Sequence, residues 1–225
     1  YSAANKFSGI FSTLYSVFNL TWTESASINI NSEDRDEFFS KIFDFIVRFF
    51  GSLSLGAIAV MPFVFRIFVN EKFAESYYQI PILILGSVFN ILVSFLGSVY
   101  VAKKLTKEIA KTSIIAAIIN IVVNIALIKQ IGLYAASIST VVAYLTMFIY
   151  RWIDVKKYVN IKTNKLLIIG LSISFIVVII TYYLSIKIIS LAVLLAVIMI
   201  AMYINKDSAK YLAEIFKKKL KIEKL

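Results

Sequence analysis

Seven long apolar segments alternate with short polar ones along the chain. A helix needs about 20 apolar residues to cross a bilayer core of about 30 Å. The pattern therefore predicts seven spans, near 8–30, 43–69, 80–101, 113–129, 132–150, 166–183 and 188–204. The connections between them are too short to hold a soluble domain.

The composition agrees with this pattern. Sixty per cent of the residues are hydrophobic, 16% are charged, and the mean hydropathy is +0.85. A soluble domain has a more polar surface, and a transmembrane barrel shows alternating strands of about ten residues. We therefore predict an all-α integral membrane protein with seven transmembrane helices.

The chain has neither cysteine nor histidine. Thiolate chemistry is thereby excluded from this chain, together with the commonest general base and metal ligand. We predict no catalytic residue, no metal site and no cofactor, and we expect that the protein is not an enzyme.

Lysine and arginine are distributed unequally between the predicted connections. If the C-terminus is cytoplasmic, eighteen of them lie on the cytoplasmic side, Arg151 included, and four lie outside. This satisfies the positive-inside rule, so the net charge of +11 indicates topology and not nucleic-acid binding. The N-terminus is then outside, and an odd span count predicts a missing N-terminal half upstream.

The segment 205–225 is basic, with Leu212, Ile215, Phe216 and Leu220 at helical spacing. It predicts an amphipathic helix on the anionic inner leaflet, so that membrane lipids are partners. A solvated charged tail explains it equally well.

The first predicted span carries a stripe of hydroxyl and amide side chains. At about 100° per residue the stripe covers an arc of about 100°. Its members are Ser8, Ser12, Ser16, Asn19, Thr23 and Ser27. Such a face lines a water-filled path or, alternatively, packs closely against another helix.

Glu24 lies about 60° beyond the edge of that stripe, still inside the span. A carboxylate at this depth costs a few kcal/mol and usually faces a cavity or a partner. Arg48 in the second span is the predicted ion-pair partner. The pair is either a static bridge or a gating or ion-coupling device.

The remaining polar residues within or beside spans also leave two interpretations open. Lys6 and Arg66, near the outer surface, either extend toward the headgroups or flank a cationic cavity that holds phosphate. Asn90, Asn120 and Asn124 either form hydrogen bonds between helices or line a substrate path.

Three stretches together resemble the C-terminal half of the Wzx-type oligosaccharide flippases, within the polysaccharide-transport branch of the MOP exporter superfamily. They are Tyr1 to Lys6 with Trp22-Thr23-Glu24, Ala74-Glu75-Ser76-Tyr77 before Ile80-Pro81, and Asn120 and Asn124 followed by Gly132, Ala135-Ala136, Thr140 and Tyr144.

The resemblance implies one lobe of a 14-helix transporter, covering 1–160, then an extra helix pair at 161–204 and the tail at 205–225. The implied function is flipping of undecaprenyl-pyrophosphate-linked oligosaccharide across the bacterial cytoplasmic membrane for surface polysaccharide synthesis. Lipid-linked oligosaccharide is the implied substrate, and polymerase and glycosyltransferases of the same pathway are possible partners.

Two other classes stay open. A cation exporter like those of the MATE branch would favour an acidic cavity, whereas the charges within spans are two arginines and one glutamate. A multipass acyltransferase or polysaccharide polymerase is less favoured, because histidine and a long outer loop are both missing from this sequence.

Overall fold

Seven long α-helices form the protein in the computed structural model, which describes residues 2–68, 71–207 and 210. They are α1 (Ser2–Asn29), α2 (Arg35–Phe68), α3 (Ile80–Ala102), α4 (Thr106–Ile131), α5 (Tyr134–Val155), α6 (Lys165–Leu184) and α7 (Lys187–Ile204). A 3₁₀ helix, Glu71–Gln79, leads into α3. The described residues contain no strand, which confirms the all-α prediction.

Six of these helices are long and apolar enough to cross a membrane, so this is a multi-pass membrane protein. The helix α1 is not among them, because the stripe and the charges of Lys6 and Glu24 interrupt its apolar residues. The predicted span 43–69 begins too late. The helix α2 already begins at Arg35, and hydropathy does not detect its first turns because they are polar.

The helix α3 is the centre of the bundle. It packs against α1 and α5 over most of its length, and both run parallel to it. Ser87 of α3 donates a hydrogen bond to the Ser8 carbonyl of α1 at 3.2 Å. Small buried residues, among them Ala4 and Ala26, allow α1 to approach α3 closely.

The helices α4 and α5 form the antiparallel hairpin that the Lys129–Gly132 turn predicts. Gly132 has a φ of +55° and a ψ of −129°, a conformation that favours glycine. Asn120 faces Thr140 across the hairpin. The outer side of α4 is almost wholly exposed, as expected for a helix against lipid.

The helices α6 and α7 pack on α2. Two consecutive tyrosines at the end of α6 fix it to the 3₁₀ helix. The Tyr182 hydroxyl donates to the Tyr77 carbonyl at 2.7 Å, and the Tyr183 hydroxyl donates to the Tyr78 carbonyl at 2.6 Å. The rings of Tyr77 and Tyr182 stack with centroids 4.3 Å apart.

The extended link between α5 and α6 is fixed to the first turns of α2. Asp36 Oδ1 accepts from the Asn160 amide at 3.0 Å, and Ser40 Oγ accepts from the Lys162 amide at 2.8 Å. Four helical residues and two extended residues both advance about 6 Å, so the two sets of groups stay in register. One further step along both segments, Asp44 Oδ1 accepts a hydrogen bond from the Asn164 amide at 3.4 Å.

Candidate functional site

The polar stripe of α1 lies along the edge of the buried face of this helix. Ser8 is buried against α3, Ser12, Asn19 and Thr23 are half-buried, and Ser16 and Ser27 are exposed. The stripe therefore forms the boundary between the side of α1 that packs on α3 and the side that is exposed.

The hydroxyl groups of the stripe mostly bond to their own helix. Ser16, Thr23 and Ser27 donate to α1 carbonyls three or four residues earlier, at 2.7 to 2.8 Å. This local bonding is a common alternative for serine and threonine within helices. It satisfies these donors without a neighbouring helix and leaves the hydroxyl oxygens able to accept further hydrogen bonds.

The predicted ion pair between Glu24 and Arg48 is wrong. Ion pairs among the described residues join other groups, such as Lys41 to Glu37 and Lys157 to Asp154. Glu24 is exposed, because it lies about 160° around α1 from the buried Trp22. Its carboxylate thus points away from the bundle.

Lys6 is exposed on the same side of α1 as Glu24. Eighteen residues separate the two, which is five helical turns, so they share one azimuth about 27 Å apart along the axis. Isoleucine, valine and leucine side chains are exposed between them: Ile10, Leu14, Val17 and Leu20. The open side of α1 therefore combines two opposite charges with an apolar ridge.

Arg48 lies on α2, one turn before Ser52. Ser52 Oγ accepts a hydrogen bond from Nδ2 of Asn205, the residue that follows α7, at 2.9 Å. Arg48 is half-buried, and its Nε has no hydrogen-bond partner among the described residues. The predicted gating residue thus lies on the side of α2 that is near α7, away from Glu24.

The three predicted asparagines differ in their surroundings. Asn120 Nδ2 lies 3.4 Å from Thr140 Oγ1, which places it between helices. Asn124, one turn further, has a buried Oδ1 without a partner. Asn90 is half-buried on α3. The side chain of Arg66, and the predicted tail at 208–209 and 211–225, lie outside the described residues.

The hydropathy pattern places Arg151 wrongly, in a polar connection after the fifth span. It is not in a cytoplasmic connection, because α5 continues to Val155, and it is only 3% exposed. Its Nε and Nη2 donate to Thr112 Oγ1 at 3.0 and 2.8 Å, and its Nη1 donates to the Val93 carbonyl at 2.9 Å. One arginine thereby joins α3, α4 and α5.

Aromatic and acidic groups surround this arginine. Its guanidinium lies 5.7 Å from the Tyr100 ring centroid, and the Tyr100 hydroxyl donates to Asp154 Oδ2 at 2.9 Å. Lys157, beyond the end of α5, donates to Asp154 Oδ1 at 2.6 Å. That hydrogen bond, supported by the opposite charge, raises the pKa of Lys157. The cluster is a structural junction, because each guanidinium nitrogen of Arg151 already donates to a group on α3 or α4.

An open cleft of about 580 Å³ lies where α1 ends and α2 begins. Its lining is Glu33, Asp34, Asp36, Glu37, Ser40, Lys41, Asp44, Lys162 and Thr163. Several of these groups already hold the α5–α6 link or each other. The cleft includes none of the residues that the sequence singles out.

Comparison with protein-family models, curated proteins and solved structures finds no match to this chain.

Proposed function

We propose that this chain is part of a flippase that moves undecaprenyl-pyrophosphate-linked oligosaccharide from the cytoplasmic to the outer leaflet. One observation carries the proposal. The helix α1 packs along α3, a helix apolar enough to span the membrane, yet it keeps an exposed side with Lys6, Ser16, Glu24 and Ser27.

Such a side is costly against lipid hydrocarbon. A charged residue within a span costs up to about 2.5–3.5 kcal/mol on insertion scales, most at the centre and less toward the ends where Lys6 and Glu24 lie, so it usually faces water or another polar group. A wetted wall of this kind suits a cargo with sugar hydroxyls and phosphates. The apolar ridge between the charges would contact the rest of the transporter or the lipid part of the cargo.

Further parts of the proposal follow from charge placement and from the proposed reaction. The positive-inside rule favours an N-terminus outside and a C-terminus inside, and the proposed reaction takes place in the bacterial cytoplasmic membrane. Membrane lipids, the second lobe of a 14-helix transporter of the proposed kind, and the polymerase and glycosyltransferases of the pathway are the proposed partners. Alternating access would expose the α1 wall to each side in turn.

The test uses the full-length protein in cells that export a surface polysaccharide. We expect Glu24→Gln and Lys6→Gln, which each remove one charge from the exposed side of α1, to reduce the surface polysaccharide while the amount of protein in the membrane stays unchanged. Lys41→Gln is the control, because Lys41 is exposed at the end of the bundle and pairs only locally with Glu37. Normal export by both variants would contradict the proposal.

A further inference from the structure

The contact between α1 and α2 is built from aromatic rings. The two helices run antiparallel, and their ring pairs follow one another along the contact at centroid separations of 5.1 to 6.5 Å. These pairs are Phe7–Phe65, Tyr15–Phe50, Phe18–Phe45 and Trp22–Phe39. We call this contact the aromatic seam.

The backbones of α1 and α2 stay apart along the seam, in contrast to the close approach of α1 to α3. Large side chains fill the space between them. Separating α1 from α2 would therefore disturb ring contacts alone, whereas separating α1 from α3 would break the close backbone packing and also the stacked Trp22–Phe95 contact, with centroids 4.9 Å apart. The seam is the boundary of α1 that is easier to open.

Polar atoms without partners are buried in this seam. The Tyr15 hydroxyl, the Trp22 Nε1 and the Ser54 Oγ are buried and have no hydrogen-bond partner among the described residues. Their residues are 4%, 3% and 0% exposed. Buried tyrosine and tryptophan usually find such a partner, and leaving a buried polar group unpaired costs about 1–3 kcal/mol. A fourth buried atom, Asn19 Oδ1, also lacks a hydrogen-bond partner among the described residues.

Three of these atoms lie on one side of α1. Tyr15, Asn19 and Trp22 are spaced by four and three residues, so they share an arc of about 60° on α1. Ser54 follows Phe50 by one turn of α2, and Phe50 contacts the Tyr15 ring. The unpaired groups thus follow one another along the seam, beside its aromatic rings.

The chemistry of this set fits a sugar. It offers a hydroxyl on each helix, an N–H donor and an amide oxygen, and none of the four side chains is charged. Aromatic rings pack against the C–H faces of a pyranose, and such polar edges bind its hydroxyls. An uncharged, hydroxyl-rich ligand would pair the groups that the closed seam leaves unpaired.

The geometry points to the aromatic seam as a surface that opens to water and binds the glycosyl part of the cargo through Tyr15, Asn19, Trp22 and Ser54. The sugar as ligand rests on the proposed function, whereas the opening rests on the seam alone. The structure described above is then the closed state.

The test uses thiol labelling, because this chain contains no cysteine. Ser54→Cys, introduced into the full-length protein, is treated with a water-soluble methanethiosulfonate in membranes. We expect it to react, although Ser54 is fully buried in the closed state. Ser98→Cys is the matched control and should not react, since Ser98 is 2% exposed and donates to the Phe95 carbonyl at 2.6 Å.

The ligand is tested with dodecyl maltoside, which joins a disaccharide to an alkyl chain, against octaethylene glycol dodecyl ether, which has no sugar. At about twice its Kd, the maltoside should slow Ser54→Cys labelling about threefold, because protection scales as one plus the ratio of ligand to Kd. Adding Trp22→Phe should weaken this protection without abolishing labelling.

Each outcome decides one part. No labelling of Ser54→Cys, or equal labelling of Ser98→Cys, overturns the opening of the seam. Labelling without protection by the maltoside overturns the glycosyl site. Neither readout depends on polysaccharide export, so a failure of the proposed function would be seen separately, in the Glu24 and Lys6 variants.

Discussion

Arg151 Nη1 lies 2.7 Å from the place that a Cβ atom on Gly97 would occupy. No side chain larger than hydrogen fits at residue 97 while the guanidinium keeps its bonds to Thr112 and the Val93 carbonyl. A glycine on α3 and an arginine on α5 therefore depend on each other, and together they hold three helices at one end of the bundle.

Gly97→Ala should destabilise the protein. The added methyl group displaces a guanidinium that three hydrogen bonds hold, and overpacking of this kind costs about 1–3 kcal/mol. The melting temperature of the purified protein in detergent, followed by fluorescence-detected size exclusion, measures this. Gly56→Ala is the control and should be neutral or slightly stabilising, since nothing lies within 4 Å of its added Cβ.

Arg151→Lys should also destabilise, by about 1.5–3 kcal/mol, the range for hydrogen bonds to charged groups. A lysine ammonium cannot replace the planar fork that binds Thr112 and the Val93 carbonyl together. If the Gly97 methyl group acts through Arg151, the double variant should lose less than the sum of the single variants. Full additivity of the two losses in melting experiments would show that the residues are independent.

The α5–α6 link should become more susceptible to trypsin when its bond to Asp36 is removed. Asp36→Ala deletes the acceptor for the Asn160 amide. One such bond is worth about 1 kcal/mol, so cleavage after Lys162 should become about fivefold faster where it follows the population of the open link. Glu37→Ala is the matched control, because Glu37 pairs with Lys41 and not with the link. Equal cleavage rates would contradict the role of the α2 side chains.

The two tyrosines at the end of α6 should contribute unequally to stability. Tyr182→Phe removes a hydroxyl that donates to the Tyr77 carbonyl from a buried ring, so we expect a loss of about 1 kcal/mol. Tyr183→Phe removes the same kind of bond from a ring that is 39% exposed, where water replaces the lost partner. Denaturation of the two variants side by side checks this order, and a larger loss for Tyr183→Phe would contradict it.

The sequence predicts the helices well, because hydropathy and helical period are properties of local segments. Ile80–Ala102 and Lys187–Ile204 match their predicted spans to within a residue. Hydropathy misses the polar first turns of α2 and α4, which are helical but not apolar.

Partners are harder to predict than helices, since pairing depends on which sides of two helices meet. Glu24 and Arg48 share a predicted depth, yet one points outward from α1 and the other lies by α7. Arg151 has the sequence context of a connection, although its partners on α3 and α4 bury it. The unpaired Tyr15 and Trp22 have no signal in the sequence beyond an ordinary apolar spacing.

The central claim is that α1 keeps a wetted side at the depth of the bilayer, and labelling of Ser16→Cys tests it most directly. Ser16 is exposed in the middle of α1, and Ile173, 56% exposed in the middle of α6, is the matched lipid-facing residue. In membranes accessible from both sides, a water-soluble thiol reagent should modify Ser16→Cys readily and Ile173→Cys little. If both cysteines are equally unreactive, α1 faces lipid and the account of a polar transport wall is contradicted.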